Sequence, residues 1–304
     1  MKKTMTIKEI LQKSIAKLKA TSSTPHLDAE VLLSHALKKS REFILIHPEK
    51  KLTSQQLIRF NSFIKRKLRH EPVAYITEHK EFYGLDFKVN SDTLIPRPET
   101  EHLVDATLNL LRSTLHNKNT SIIDVGTGSG NIIISISKNS EQETVNNKNI
   151  HYFATDISKE ALKVAKINAR RHKVNKKIKF VQSNLLSYFI DHCSLLTDHC
   201  IIVANLPYLE TGLENSPKSN ETKGLIFEPE IALYSGKDGL NAYRKLAQQI
   251  KILIQKTKAN ITLICEIGHL QKKEIEKIFS FAKKIEFQKD LAKKWRLAII
   301  KINF

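Results

Sequence analysis

The chain has little of what several protein classes depend on. Its three cysteines, Cys193, Cys200 and Cys265, form no C-x-x-C pair, which removes both a disulfide framework and a cysteine-rich zinc site. Its twelve histidines form no H-E-x-x-H, and His172, His192 and His199 read as surface or loop residues, so no metal site is expected. No apolar run reaches the ~18–20 residues that cross a bilayer. The opening MKKTMTIKEILQK is interrupted at Lys8 and Glu9, short of the ~7–15-residue apolar core of a signal peptide. A soluble, cytoplasmic protein with no membrane partner is expected. There is no internal repeat and no block of five like charges.

What is present is ordinary in balance. With 304 residues the chain exceeds one average domain, so about two are expected at roughly 150 residues each. Apolar residues at 41% and charged residues at 27% exclude a wholly disordered or fibrous chain. Fifty Lys and Arg against 31 Asp and Glu leave a formal +19, enough to attract polyanions. The lysines are scattered, however, and Asn and Ile are also plentiful, as a compositional bias would produce. Charge alone decides nothing between that bias and a basic partner-facing surface.

The chain changes character twice. Within residues 1–70, Thr6 to Glu9 form a capping-box pattern ahead of Ile10, Leu11, Ile15 and Leu18 at helical spacing. Three further short amphipathic helices follow Pro25, Ser40 and Ser54, together a small helical bundle. Residues 71–92 alternate around Tyr83-Gly84 and read as a β-hairpin linker. From 93 to 304, apolar strands centred on Ile122, Phe153, Phe180, Ile202 and Leu263 alternate with helices, notably 158–170, and two more strands are expected near 284–288 and 296–302. This predicts an α/β, doubly wound, Rossmann-like sheet behind the helical lobe. The polar tracts Asn139–Asn149 and 211–224 read as loops.

Gly126-Thr127-Gly128-Ser129-Gly130 follows a strand and opens a helix, where glycines let the backbone turn sharply and let a ligand approach its amides. A dinucleotide fingerprint needs its third glycine at 131, which is Asn131. No Lys-Ser/Thr pair makes a phosphate-cradling loop. Asp156, at the tip of the next strand, can accept hydrogen bonds from both ribose hydroxyls of a nucleoside cofactor; a helix N-cap before Ser158 is its structural alternative. A loop for an amino-acid tail plus a ribose-binding Asp suits S-adenosylmethionine better than NAD. Asn184, at the tip of the third strand, can address an adenine.

The fourth strand runs into Asn205-Leu206-Pro207-Tyr208. An amide or aromatic amine nitrogen is a poor nucleophile because its lone pair is delocalised. If the Asn205 side-chain oxygen and the Leu206 carbonyl each accept one N–H, the lone pair is aimed at a methyl group and developing positive charge is stabilised. Tyr208 can stack on the planar group. No general base of unusual pKa is required.

These residues carry a resemblance that runs nearly end to end. Leu27–Leu33, Glu71–Thr77, Lys80–Leu85, Leu94–Glu101, Phe227 to Leu240 and Cys265–Gly268 all resemble segments of the peptide chain release factor glutamine N5-methyltransferase family. The resemblance implies a class I S-adenosylmethionine-dependent methyltransferase domain behind a helical substrate-binding lobe. It further implies methylation of the glutamine side-chain amide in the Gly-Gly-Gln loop of class 1 release factors. Carried over residue by residue, Gly126–Gly130 and Asp156 bind the cofactor, Leu185 lies beside the adenine, and Asn205 through Tyr208 hold the glutamine. The family usually has Pro where this chain has Leu206, Asp where it has Asn184, and often an aromatic at Leu185. A monomer is expected, and direct nucleic-acid binding is not required. Two alternatives stay open: an RNA adenine-N6 methyltransferase, since Asn-Leu-Pro-Tyr also resembles the motif of dimethyladenosine transferases, and a non-catalytic basic ribosome- or RNA-binding protein.

Overall fold

A computed structural model describes residues 5–114, 119–143, 150–212 and 222–303. The chain divides into two compact units, one of Met1–His79 with Asn215–Glu228, the other of Lys80–Glu214 with Pro229–Phe304. Among the described residues no helix is long and apolar enough to cross a membrane.

The first unit holds α1 (Ile7–Leu18), α2 (Pro25–Leu37), α3 (Arg41–Ile46), α4 (Ser54–Lys67) and α5 (Val73–Thr77). Thr6 and Thr53 close capping boxes on α1 and α4 with Glu9 and Gln56, each satisfying backbone donors that a helix start otherwise strands. The apolar faces meet in a core around Ile7, Leu18, Leu32, Leu33, Ile44 and Phe60. Part of the stretch expected as hairpin is helical. Pro72 is the N-cap of α5, its φ of −59° fixed by the ring and its ψ of 137° still extended, and Tyr75, Ile76 and Thr77 of the helix are buried.

β1 (His79–Phe82) and β2 (Leu85–Lys88) form a hairpin with a two-residue turn, all of it but His79 within the second unit. Its turn residues Tyr83 and Gly84 both have positive φ, the geometry that matches the twist of the strands. Helix α6 (Glu101–Thr114) leads into β3 (Thr120–Val125), α7 (Asn131–Glu143), β4 (Ile150–Asp156), α8 (Lys159–Arg171), β5 (Ile178–Gln182), α9 (Ser187–Asp191) and β6 (His199–Ala204). Then come α10 (Glu230–Leu233), α11 (Asn241–Lys256), β7 (Asn260–Glu266), α12 (Lys272–Ile278), β8 (Lys284–Lys289) and β9 (Trp295–Lys301). The seven-stranded sheet has the order β5-β4-β3-β6-β7-β9-β8. Its first five strands are parallel; β9 alone runs against them, antiparallel to both β7 and β8. Separate apolar cores cover its two faces.

The expectation of a loop over Asn139–Asn149 needs correcting. Helix α7 continues through Glu143, its Asn139 side chain donating to the Ser135 carbonyl at 2.8 Å and Ser140 bonding the Tyr152 hydroxyl at 2.7 Å. Polar residues there belong to a helix, and 144–149 lie outside the described residues. Of the expected loop 211–224, residues 213–221 lie outside the described residues and Thr222–Phe227 form a 3₁₀ helix.

Candidate active site

The register of the parallel strands assembles the site. Val125 stands level with Thr155 on one side and Ala204 on the other, and Ala204 with Cys265. The next residue of each strand is Gly126, Asp156, Asn205 and Glu266. Adjacent strands lie roughly 4.8 Å apart, so four chemically distinct groups stand in one row at the carboxyl ends, where ligands of open α/β sheets bind.

The glycine loop leaves β3 with Gly126, Gly128 and Gly130 all at positive φ, a region side chains rarely enter. A Cβ on Gly128 would meet nothing within 4 Å, whereas one on Gly130 would press on Ile134 at 2.9 Å and Ala165 at 3.1 Å. Gly128 is therefore small for the sake of the space in front of it, and Gly130 for the packing of α7 on α8. Buried Asn168 of α8 donates to the Ser129 carbonyl and exchanges two hydrogen bonds with the Lys88 backbone. It ties the loop to the hairpin. Behind the loop, fully buried Asp124 accepts from the Thr127 hydroxyl at 2.6 Å; burial pushes its carboxyl up to about 7.

Asp156 accepts from the Gly128 N–H at 2.8 Å and from the Ser158 N–H at 2.9 Å, one on each oxygen. The N-cap of α8 is Ser158, whose hydroxyl accepts from Ala161 N–H, so the capping alternative for Asp156 does not hold. Burial raises its pKa, against the pull of those backbone donors. Each oxygen keeps a further lone pair.

Beyond β5, Leu185 has φ +55°, a strained conformation for a bulky residue. Gln249 on α11 holds it there, accepting from Leu186 N–H at 2.8 Å and donating to the Asn184 carbonyl at 3.1 Å. Ser183 adds a bond to the Leu185 carbonyl.

Asn205 donates from Nδ2 to the Thr100 hydroxyl at 2.9 Å. Thr100 in turn donates to Glu266 at 2.7 Å. The Tyr208 hydroxyl donates to the other Glu266 oxygen at 3.2 Å, and burial, reinforced by the Glu266 charge, holds its pKa well above the ordinary phenol range. Leu206 is buried, its side chain 3.5 Å from where a Cβ on Gly126 would stand.

These elements line one cavity of about 310 Å³, within the roughly 300–1,000 Å³ of small-molecule sites. Its walls include Gly126 through Ser129, Asp156, Asn184, Leu185, Asn205, Leu206 and Pro207. Gly130 and Tyr208 are not on that wall. The arrangement fits S-adenosylmethionine: open space at Gly128 for a chain tail, carboxylate lone pairs for a diol, and a loop held at Leu185 for a flat ring. The sequence reading assigned no role to Thr100, Glu266, Asn168 and Gln249.

A mainly parallel sheet with a glycine loop, a β4-tip carboxylate and Asn205-Leu206-Pro207 on one cavity wall defines a methyltransferase domain. The family model described as Methyltransferase domain matches residues 116–283, and that of the PrmC N-terminal domain matches 9–77. The chain is 36% identical over 277 residues to the release factor glutamine methyltransferase of Coxiella burnetii, covering 89% of each. To the bifunctional methyltransferase of Rickettsia conorii it is 35% identical over 295 residues, covering 90% of this chain but 53% of that protein. The solved hMettl16 catalytic domain, in complex with a 3′UTR hairpin, shares the fold at a TM-score of 0.52 and 18% identity, covering 78% of this chain and 82% of that one. The chain belongs to the release factor glutamine methyltransferase family.

Proposed function

We propose that this protein transfers a methyl group from S-adenosylmethionine to the side-chain amide nitrogen (N5) of the glutamine in the Gly-Gly-Gln loop of class 1 peptide chain release factors. The observation that carries the proposal is the Asn205 amide. Its nitrogen is engaged by Thr100, so its oxygen is the group left to accept, on the cavity wall beside Leu206.

S-adenosylmethionine supplies a methyl group activated by its sulfonium charge. Gly126–Gly130 receive the amino-acid tail, Asp156 the ribose hydroxyls, and Asn184 and Leu185 flank the adenine. Asn205 Oδ1 and the Leu206 carbonyl each accept one N–H of the substrate amide, turning the nitrogen lone pair toward the methyl group. The same two acceptors stabilise positive charge as it develops on nitrogen; as the N–CH₃ bond forms the S–CH₃ bond would break to leave a neutral thioether, and loss of one N–H proton to water after transfer restores a neutral amide. Tyr208 secures the tetrapeptide through its hydroxyl. The helical unit supplies the contact area that a protein substrate presenting one loop requires.

The test is to incubate the full chain with methyl-labelled S-adenosylmethionine and, separately, a purified class 1 release factor or ribosomal RNA, then locate the label. Label on the Gly-Gly-Gln glutamine is expected. Label on RNA adenine would favour the RNA methyltransferase reading. No calorimetric binding of S-adenosylmethionine would favour the non-catalytic one.

A further inference from the structure

We infer that Thr100 and Glu266 are positioning residues that fix which way round the Asn205 amide is held, and that their direction of hydrogen bonding keeps its oxygen facing the substrate. The inference rests on the proposed role of Asn205 as an acceptor for the substrate amide.

An asparagine amide presents an oxygen at one end and an NH₂ at the other, in nearly the same shape. Turned over, Asn205 would set donors against the donors of a substrate amide, and the nucleophile would lose its alignment. Something must therefore choose between the two orientations. Thr100 has one hydroxyl proton. Glu266 accepts from Thr100 on one oxygen and from Tyr208 on the other, the arrangement of an ionised carboxylate, which can only accept. With its proton committed to Glu266, Thr100 can only accept from Asn205. The amide must then offer Nδ2, as it does at 2.9 Å, and Oδ1 takes the opposite direction.

The surroundings hold Glu266 rigidly in this role. It is 2% exposed at the end of β7. The Tyr243 hydroxyl donates to its backbone carbonyl, and Arg296, itself paired with Asp290 at 3.0 Å, draws its charge. Thr100 is 1% exposed. Buried polar side chains are costly unless satisfied, and here Thr100, on the cavity wall, and Glu266 satisfy one another in a single direction.

The test compares Thr100→Val, which keeps the shape and removes the relay, with Thr100→Ser, which keeps the hydroxyl. Glu266→Gln is the second probe, because a Gln amide can donate to Thr100 and free its proton to reverse the chain. Single-turnover methyl transfer, with release factor and S-adenosylmethionine both saturating, should fall roughly 10- to 100-fold in Thr100→Val and Glu266→Gln, the scale of a misaligned nucleophile. KM for the release factor and calorimetric affinity for S-adenosylmethionine should stay within about threefold, and Thr100→Ser should recover the parent rate. In an Asn205→Ala background, Thr100→Val should cost nothing further. If Thr100→Val does not fold, Glu266→Gln carries the same test. A Thr100→Val or Glu266→Gln enzyme near the parent rate beside a slow Asn205→Ala would overturn the relay alone. A parent-like Asn205→Ala would overturn the underlying reading of the site.

Discussion

Gln249 holds Leu185 in a left-handed conformation from 64 positions away in the chain, with one bond to the residue after it and one to the residue before it. Gln249→Ala strands the buried Leu186 N–H, and each such loss costs about 1–3 kcal/mol. Leu185 should then relax out of the cavity wall. S-adenosylmethionine affinity, read by calorimetry, should fall more than tenfold, with a lower Tm. Leu185→Gly relieves the strain at that φ and should leave Tm equal or higher; a large drop would show that Leu185 packing outweighs its backbone strain.

The glycine loop separates into a ligand glycine and a packing glycine. Gly130→Ala drives a methyl group into Ile134 and Ala165, so thermal unfolding should shift down by the equivalent of roughly 1–3 kcal/mol. Gly128→Val meets open space but sets a β-branched residue at φ +53°, so Tm should fall by the equivalent of roughly 1–3 kcal/mol of backbone strain, while S-adenosylmethionine binding is lost by far more than Gly130→Ala loses it. Equal effects of the two substitutions on binding and on Tm would contradict this division.

Asn205→Ala removes the proposed acceptor while Leu206 still offers its carbonyl. Release factor binding should change little. Transfer under single-turnover conditions should slow by roughly 100- to 10,000-fold, combining lost orientation with lost charge stabilisation. A rate within about threefold of the parent would make Asn205 a turn residue. Asp156→Ala is the complementary case. It should weaken cofactor affinity, by about 1.5–3 kcal/mol for each charge-assisted bond, more than it lowers the maximal rate.

Activity and stability should respond to pH in opposite senses. Burial raises the Glu266 carboxyl and Glu99 pushes it the same way, while Thr100, Tyr208 and Arg296 oppose them; Tyr243 and Cys265 also stand against it. The relay needs Glu266 ionised, so the transfer rate should rise with pH through its titration. Asp124 and Glu266 both have folded pKa values above their unfolded ones. The stability this gives is complete below about pH 4 and is lost as pH climbs through the folded values, about 7 for Asp124. Tm should therefore decline as pH climbs toward the Asp124 value of about 7, whereas single-turnover rates should climb with pH through the Glu266 titration. A Glu266→Gln enzyme should lose the acid limb of the rate profile.

Much of the fold was legible because its signals are local. Apolar strand centres such as Ile122 and Ile202, and glycines at a strand end, need only neighbouring residues to be read. Asn205 and Asp156 stood out for the same reason. The relay did not, since Thr100 lies 105 positions from Asn205 and 166 from Glu266, and no spacing rule joins them. Glu266 still left a trace, as a carboxylate ending a buried strand in line with Asp156. Asn168 and Gln249 left another: each is an amide on the apolar stripe of its helix, beside Ala165 and Ala169 or Leu246 and Ile250. A polar residue in such a stripe has a partner to reach. Helix α5 was hidden because five residues after Pro72 are too few to show a helical period.

The seven-stranded sheet ends in β5 and β8, and an uncovered strand offers its backbone to any passing chain. Exposed Lys179 and Gln182 interrupt the β5 edge. On β8, exposed Lys284 and Lys289 flank Glu286, and the strand shifts register at Gln288 and Lys289. Charge on one rim and a kink with charge on the other make both poor templates for intermolecular pairing. The strand pairing that lines up Gly126, Asp156, Asn205 and Glu266 is thereby discouraged from extending to a second chain.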